Sequence, residues 1–288
     1  MITLIGKNSQ LGRTFLELSK FKITSLSSKD LDLENSEEIK NVLRKTNSRY
    51  VLNFAAYNDV ENCDYNSALK INGTALKHIA SFCKDSDSIL IHISSDYVFN
   101  GSKGNYQETD LVDPINSYGA SKLLGEQHIK KSGCKYLILR TSWLYSSKQT
   151  PNNFLRKIFH MISYQGIQSF QGVDNLYGSP TSCFSLANYL INIINFIDKS
   201  KVDFNEFGIY HAVDNGRVSR YEFLEKLLFL IKHRYGLNYA LNSVQDDYFP
   251  SNIKRPYDTS LQNSKLKKTF GVECLEWDDA LFQEVERL

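Results

Sequence analysis

The stretch ITLIGKNSQLG, residues 2–12, decides the fold of this chain. Its apolar first part predicts a short β-strand, and an amphipathic helix pattern follows the glycines directly. Glycines in such a turn let the backbone approach a pyrophosphate, and the N–H groups of the first helical turn favour its negative charge. Ser9 stands where the pattern Gly-x-x-Gly-x-x-Gly has its middle glycine, and serine costs about 1 to 2 kcal/mol more there if the backbone is left-handed. These residues alone leave cofactor binding and an ordinary strand-to-helix turn equally open.

Short apolar runs alternate with longer amphipathic ones beyond this turn. The pattern places strands at residues 22–26, 50–55, 89–94 and 136–141, and helices at 11–20, 36–45, 67–83 and 116–131. The third and fourth of these strands are rich in Ile and Leu, which is typical of strands buried on both faces. The order predicts an α/β protein with a Rossmann-like, doubly wound parallel sheet.

The regular alternation of strand and helix patterns ends near residue 143, which predicts a smaller C-terminal substrate-binding lobe. We assign residues 1–143 and about 172–207 to the NAD(P)-binding Rossmann domain. The substrate-binding lobe then takes residues about 144–171 and 208–288, including a strand pattern at 208–213 and an extended loop at 246–259.

Composition excludes several classes of protein. The 34 Lys and Arg residues nearly balance the 32 Asp and Glu residues, so the net charge of +2 supplies no broad attraction for nucleic acid or anionic lipid. No apolar run reaches the ~20 residues that cross a bilayer. The five cysteines never form C-x-x-C and the six histidines form no i, i+4 pair, so we expect neither a metal site nor a disulfide framework. The chain is predicted to be a cytoplasmic protein.

A second signal is YGASK, residues 118–122, at the start of a predicted helix. Tyr118 and Lys122 share one helix face because they are four residues apart. A nearby ammonium stabilises a phenolate and brings the pKa of tyrosine down from about 10 toward neutrality, as acid–base catalysis requires. Such a pair also arises by chance on surface helices, so this signal is weak by itself.

A third signal is SSDY, residues 94–97, where a buried strand ends. Ligands of open parallel sheets bind outside the carboxyl ends of the strands, so a Ser95 hydroxyl there can hydrogen-bond a substrate carbonyl. A simple capping turn would have the same sequence. The three signals are more specific together, because all of them deliver their groups to one edge of one sheet.

On these motifs the chain resembles the extended short-chain dehydrogenases/reductases, and within them the dTDP-4-dehydrorhamnose reductase family. The matching stretches run through nearly the whole chain, at residues 6–12, 51–57, 92–99, 117–123, 139–143, 152–154, 178–181 and 254–256. The resemblance implies NADPH-dependent reduction of the C4 ketone of a nucleotide-linked 6-deoxy sugar, with NADH as a second cofactor.

The resemblance also implies roles for individual residues. Tyr118 would donate the proton, Lys122 would tune its pKa and hold the ribose, and Ser95 would orient the carbonyl. The implied cofactor-binding residues are Gly6, Ser9, Gln10, Leu11, Gly12, Asp32, Leu33, Ala56, Tyr57, Asn58, Tyr118 and Lys122. The implied contacts of the sugar nucleotide are Ser95, Asp96, Trp143 and Arg255.

The sequence departs from the family pattern at two places. SSK, residues 27–29, follows the second strand where an acidic residue often binds the adenosine ribose. We therefore expect no carboxylate there to repel a 2′-phosphate, and NADPH to be accepted. Thr14 follows Arg13 where some family members have the acidic residue of a metal-linked dimer, so no metal is expected. A homodimer of another kind stays open.

Two other functions remain as alternatives. A sugar-nucleotide dehydratase or epimerase would share the fold, although a dehydratase has Glu after the aspartate where this chain has Tyr97. A non-catalytic regulatory subunit would hold a dinucleotide and a partner enzyme, and Ser9 in the glycine turn is compatible with weakened binding. The intact set of Ser95, Tyr118 and Lys122 favours a catalyst.

Overall fold

A computed structural model describes residues 1–148, 150, 153–200, 204–237 and 239–288. In chain order its strands are β1 (Ile2–Ile5), β2 (Ile23–Leu26), β3 (Tyr50–Asn53), β4 (Ile89–Ser95), β5 (Lys135–Thr141), β6 (Leu144–Tyr145), β7 (Ser169–Val173), β8 (Tyr177–Gly178), β9 (Thr181–Ser182), β10 (Gly208–His211), β11 (Val218–Ser219) and β12 (Ala240–Val244). Its α-helices are α1 (Gln10–Leu18), α2 (Ser36–Arg44), α3 (Tyr65–Ala68), α4 (Ala75–Asp85), α5 (Ser117–Ser132), α6 (Phe154–Ser163), α7 (Cys183–Ser200), α8 (Arg220–Tyr235), α9 (Ser264–Phe270) and α10 (Trp277–Val285).

The central sheet is parallel, with its strands in the order β10-β5-β4-β3-β1-β2. Every residue of β4 is buried, because helices cover both faces of the sheet. On one face α1, α7 and α9 pack against the sheet, and on the other face α2, α4 and α5 do so. The predicted α/β doubly wound fold is confirmed.

A smaller lobe has its own apolar core, to which α6, α8 and α10 contribute. In this lobe β7 pairs in parallel with β12, and the short strands β8 and β11 pair antiparallel. Helix α8 begins with a capping box, in which Ser219 and Glu222 each bond the backbone N–H of the other, and it ends at Gly236 in the left-handed conformation.

The sequence division between the two lobes is wrong at its third boundary, at residue 208. We placed residues from 208 onward in the substrate-binding lobe, but β10 pairs with β5 in the central sheet, with Gly208 opposite Leu137. Leu266 and Phe270 of α9 also pack into the core of that sheet. A strand pattern shows that a segment is extended and buried, but it does not show which sheet edge accepts it.

Among the described residues, no helix is long and apolar enough to cross a membrane. No cluster of three or more His, Cys, Asp or Glu side chains in these parts of the chain could hold a metal ion. All five cysteines are free thiols.

Candidate active site at the carboxyl edge of the sheet

The glycine turn between β1 and α1 leaves no room for side chains. Gly6 has a φ of +93°, and a Cβ there would lie 2.6 Å from the backbone nitrogen of Ala55. A Cβ on Gly12 would lie 2.4 Å from the carbonyl oxygen of Gly6. Both positions therefore require glycine, and the backbone is left open to a ligand above the first turn of α1.

Ser9 is the N-cap of α1 and is not strained. Its φ of −66° and ψ of 161° are extended, so the left-handed backbone that would have penalised serine does not occur. The hydroxyl accepts from the Gly12 N–H at 3.0 Å and donates to the Gly6 carbonyl at 2.8 Å. Leu11 is buried behind the turn, and the Oε1 atom of Gln10 is buried with no partner among the described residues. Ser9 thus replaces a flexible glycine with a helix cap.

A carboxylate lies at the end of β2, where the sequence analysis expected none. Oδ2 of Asp30 accepts from the backbone N–H and hydroxyl of Ser27, and from the Lys7 ammonium at 2.7 Å. These donors hold the pKa of Asp30 well below its usual range, with the Lys7 hydrogen bond as the largest cause. The expectation is wrong because the turn at 27–30 folds the carboxylate back onto the strand end. Its spacing of about 20 residues from the glycine turn is the signal that could have found it.

The remaining residues expected near the dinucleotide lie in two loops at the same edge. Asp32 is exposed and its Oδ1 accepts from the Glu34 N–H, while Leu33 packs partly against the core. Ala56 and Asn58 are exposed in the loop after β3.

Asn72 fixes the loop after β3 against helix α5. Its side chain exchanges two hydrogen bonds with the Tyr57 backbone, at 2.8 and 2.9 Å, and donates to Ser121 at 3.0 Å. Asn72 lies in a π-helical turn between α3 and α4, a distortion that recurs at functional sites. The sequence analysis missed this residue, and the single helix predicted at 67–83 is interrupted here.

Helix α5 carries Tyr118 and Lys122 on the face that meets the end of β4. Asn116 caps the helix by accepting from the Gly119 N–H at 2.9 Å. Lys122 is 2% exposed and its ammonium donates to the Ile93 carbonyl at 2.7 Å. Burial lowers the pKa of Lys122 to about 8, and the nearby Glu126 carboxylate opposes that shift.

The phenol of Tyr118 is a weak acid in this arrangement. Burial raises its pKa above the ordinary value of 10, the Ser95 hydroxyl opposes this shift, and the Asp96 carboxylate adds to it. Its ring packs edge-on against Tyr97, with the ring centres 5.8 Å apart. The Lys122 ammonium donates to the Ile93 carbonyl, and its expected effect on the pKa of the phenol stays a prediction. Tyr118 therefore keeps its proton at neutral pH, the state required of a proton donor.

Asp96 is a buried junction and does not reach open space. It is 2% exposed, and its two oxygens accept from Ser95 at 3.0 Å, Ser142 at 2.8 Å and Thr259 at 2.5 Å. Burial raises the pKa of Asp96 and the three hydroxyl donors oppose the rise. Asp96 therefore joins β4, β5 and the loop of Thr259, and the substrate contact expected of this residue stays a prediction.

A cavity of about 550 Å³ opens between the end of β5 and the second lobe. Trp143 lines it in a left-handed conformation with a φ of 44°, which is rare for a bulky residue and marks a constrained site. Arg255 also lines it, but its guanidinium is ion-paired with Glu61 at 2.5 Å. The loop of Arg255 is tied to the start of helix α5, because Asn116 donates to the Lys254 carbonyl at 3.2 Å.

The motif at 152–154 is only partly visible. Asn152 lies outside the described residues. Asn153 caps α6 and donates to the carbonyls of Ser146 and Lys148, at 2.6 and 2.7 Å. Phe154 lines the cavity.

Comparisons with known proteins extend over nearly the whole chain. A model of the RmlD substrate binding domain family matches residues 1–288. The dTDP-4-dehydrorhamnose reductase of Aggregatibacter actinomycetemcomitans is 28% identical over 289 residues, covering 97% of this chain and 96% of that protein. The structure of dTDP-4-dehydrorhamnose reductase from Bacillus anthracis in complex with NADP has a TM-score of 0.90 at 26% identity, covering 100% of this chain and 99% of that one. A dTDP-4-dehydrorhamnose reductase structure from Clostridium acetobutylicum has a TM-score of 0.88 at 29% identity, covering 99% and 98%. The likeness therefore includes both lobes.

Proposed function

Because this chain belongs to the RmlD substrate binding domain family, we propose that it reduces dTDP-4-dehydrorhamnose to dTDP-L-rhamnose with NADPH, for cell-surface polysaccharide synthesis. One observation carries the proposal. The protonated phenol of Tyr118, the Ser95 hydroxyl and the buried Lys122 ammonium come together at the sheet edge that also holds the glycine turn. The names of the relatives and the NADP complex of one of them support the same reaction.

The residues of the glycine turn fit a dinucleotide. The cradle above Gly6 and Gly12 would be filled by any side chain, and the free N–H groups of the first turn of α1 favour a pyrophosphate. Asp32 and Leu33 would lie beside the adenosine, and Ala56, Tyr57 and Asn58 beside the nicotinamide. NADPH, when bound, supplies the hydride that reduces the ketone carbon.

Proton delivery falls to the residues of α5 and β4. Tyr118 donates its phenolic proton to the alkoxide that develops on the sugar, and Ser95 orients the carbonyl oxygen. The ammonium of Lys122 has three N–H groups, one of which is bound to Ile93, so the others are available for a ribose hydroxyl and the phenolate that forms. Asp96 holds Ser95 in place through its hydrogen bond.

The geometry favours reduction over dehydration and over the regulatory alternative. A dehydratase needs a further accessible carboxylate, whereas Asp96 is buried and its oxygens are occupied. The regulatory alternative drew on Ser9 as a sign of weakened dinucleotide binding, whereas Ser9 is an unstrained helix cap.

The first test measures the loss of NADPH absorbance when the purified protein meets enzymatically prepared dTDP-4-keto-6-deoxy-L-mannose. We expect turnover in the wild type, and a loss of about 100-fold to 10,000-fold in kcat for Tyr118→Phe, since that is the usual contribution of a positioned general acid. Cofactor binding, followed by fluorescence, should be unchanged in the variant. Turnover retained by Tyr118→Phe would remove this residue from the acid role, and a wild type that binds NADPH without turnover would contradict the proposed reaction.

We also propose that the protein acts in the cytoplasm. Its free thiols suit a reducing compartment, and its cofactor is kept reduced there. A homodimer stays a prediction that light scattering of the purified protein would test.

A further inference from the structure

The cavity beside Trp143 carries an uneven distribution of charge. Arg220, Arg255 and Lys157 are its cationic lining residues, and Glu61 and Asp246 are the acidic ones. Glu61 is engaged with Arg255 at 2.5 Å. Asp246 accepts a hydrogen bond from Asn175 at 2.8 Å. Neither carboxylate forms an ion pair with Arg220 among the described residues.

Arg220 is held in place by an aromatic stack. Its guanidinium carbon lies 5.0 Å from the centre of the Trp143 ring. The indole also lies close to Gly178, where a Cβ would lie 2.5 Å from the Trp143 ring. The glycine leaves the space that the indole needs to support Arg220. A guanidinium stacked on an aromatic face loses little further side-chain freedom when it binds a ligand.

Arg220 has no acidic partner among the residues that the structure describes. Its Nε atom is buried and makes no hydrogen bond with them. Asp96 is near enough for Arg220 to lower its pKa, but the two side chains form no ion pair, and the Asp96 oxygens accept from Ser95, Ser142 and Thr259. A partly buried cation without a partner carries a desolvation cost that a bound anion would offset.

We propose that Arg220 binds the diphosphate of the sugar nucleotide, with the Trp143 ring as its support. This inference rests on the proposed function, which places a nucleoside diphosphate sugar in the cavity. A planar guanidinium can donate two parallel N–H bonds to phosphate oxygens. Arg255 then acts chiefly as the partner of Glu61, and Arg220 is the residue that distinguishes a nucleoside diphosphate from a nucleoside. Neither the motifs nor their spacing pointed to Arg220, because it meets Trp143 only in the folded chain.

Calorimetric titration of the NADPH-loaded protein with dTDP and with thymidine tests the role of Arg220. In Arg220→Gln we expect dTDP affinity to fall about tenfold to hundredfold, the usual range for a lost charge-assisted hydrogen bond, and thymidine affinity to stay nearly unchanged. Arg220→Lys should recover part of the loss, since the charge remains.

Arg217→Gln is the matched control for this experiment. Arg217 also lies over an aromatic ring, 3.8 Å from the centre of Tyr177, but it already pairs with Asp258 and does not line the cavity. It should leave dTDP affinity within about twofold of the wild type.

Equal losses for dTDP and thymidine in Arg220→Gln, or no loss for either, would overturn the role of Arg220. Such a result would leave the proposed reaction standing if the wild type reduces the keto sugar. A wild type without turnover would count against the reaction, even if Arg220 proves to bind dTDP.

Discussion

The carboxyl edge of the central sheet and the cavity of the second lobe differ in whether a buried or partly buried arginine has an acidic partner. At the edge, Arg140 and Glu126 are buried together, and the guanidinium donates to the carboxylate at 2.9 and 2.7 Å. In the cavity, Arg220 has no acidic partner among the described residues. The Arg140–Glu126 pair therefore holds helix α5 on the sheet, whereas the Arg220 guanidinium remains available to a ligand.

Breaking the Arg140–Glu126 pair should have the largest effect on stability. Glu126→Gln leaves the Arg140 charge buried and uncompensated, which costs about 3 to 5 kcal/mol in the free energy of unfolding. Urea denaturation of the variant measures the cost. The exposed pair of Lys40 and Glu37 is the control, because Lys40→Gln should change stability by about 0.5 kcal/mol or less. A similar change in both variants would show that the buried pair does not hold the helix.

Lys122 should make stability depend on pH in a definite direction. Its folded pKa of about 8 lies below the ordinary 10.5, so between these values the unfolded chain binds more protons than the folded one. Stability from this group therefore rises with pH across that window, by up to about 3 kcal/mol. Urea denaturation at pH 7 and pH 10 should show Lys122→Met gaining stability over the wild type at the lower pH and losing that advantage at the higher. An advantage independent of pH would contradict a buried ammonium.

Asp30 and Lys7 should adjust the choice between NADPH and NADH by a smaller amount. Asp30→Asn removes the carboxylate that would repel a 2′-phosphate and accept a hydrogen bond from a ribose hydroxyl. We expect the ratio of NADPH to NADH affinity to rise several-fold, and Lys7→Gln to lower it. Fluorescence titration with both cofactors measures the ratio without requiring turnover. An unchanged ratio in both variants would place the adenosine ribose away from this pair.

Substitutions of Ser9, the N-cap of α1, should have the smallest effect on stability. Ser9→Ala removes the cap of α1 and costs about 1 kcal/mol, whereas Ser9→Gly costs only a few tenths. Thermal unfolding distinguishes the two variants. We expect the NADPH affinity of Ser9→Gly to match the wild type. A clear gain in that affinity would indicate that serine at position 9 weakens dinucleotide binding.

Local motifs anticipated where Ser95, Tyr118 and Lys122 lie, at the carboxyl edge of the sheet. Tyr118 and Lys122 share a face because of helix geometry, and Ser95 ends a strand whose apolar run is unmistakable. The carboxylate of Asp30 was missed because a tight turn folds it back to Ser27, and the strand at 208–211 was assigned to the wrong lobe. The first miss is a local turn just beyond the residues that were considered. The second concerns a contact between segments, which periodicity within one segment does not encode.

The sequence by itself determined the α/β class, the glycine turn, and the identity of the residues at the sheet edge, because these depend on spacing within single strands and helices. Only the tertiary structure decided that Asp96 is a buried junction, that Arg255 pairs with Glu61, and that Arg220 stands on Trp143 without an acidic partner. Those relations join residues up to 194 positions apart in the chain. A buried charge carries a desolvation cost that an opposite charge or a hydrogen bond offsets. Which residues are buried together is settled only when the lobes pack, so these relations are not encoded in a single segment.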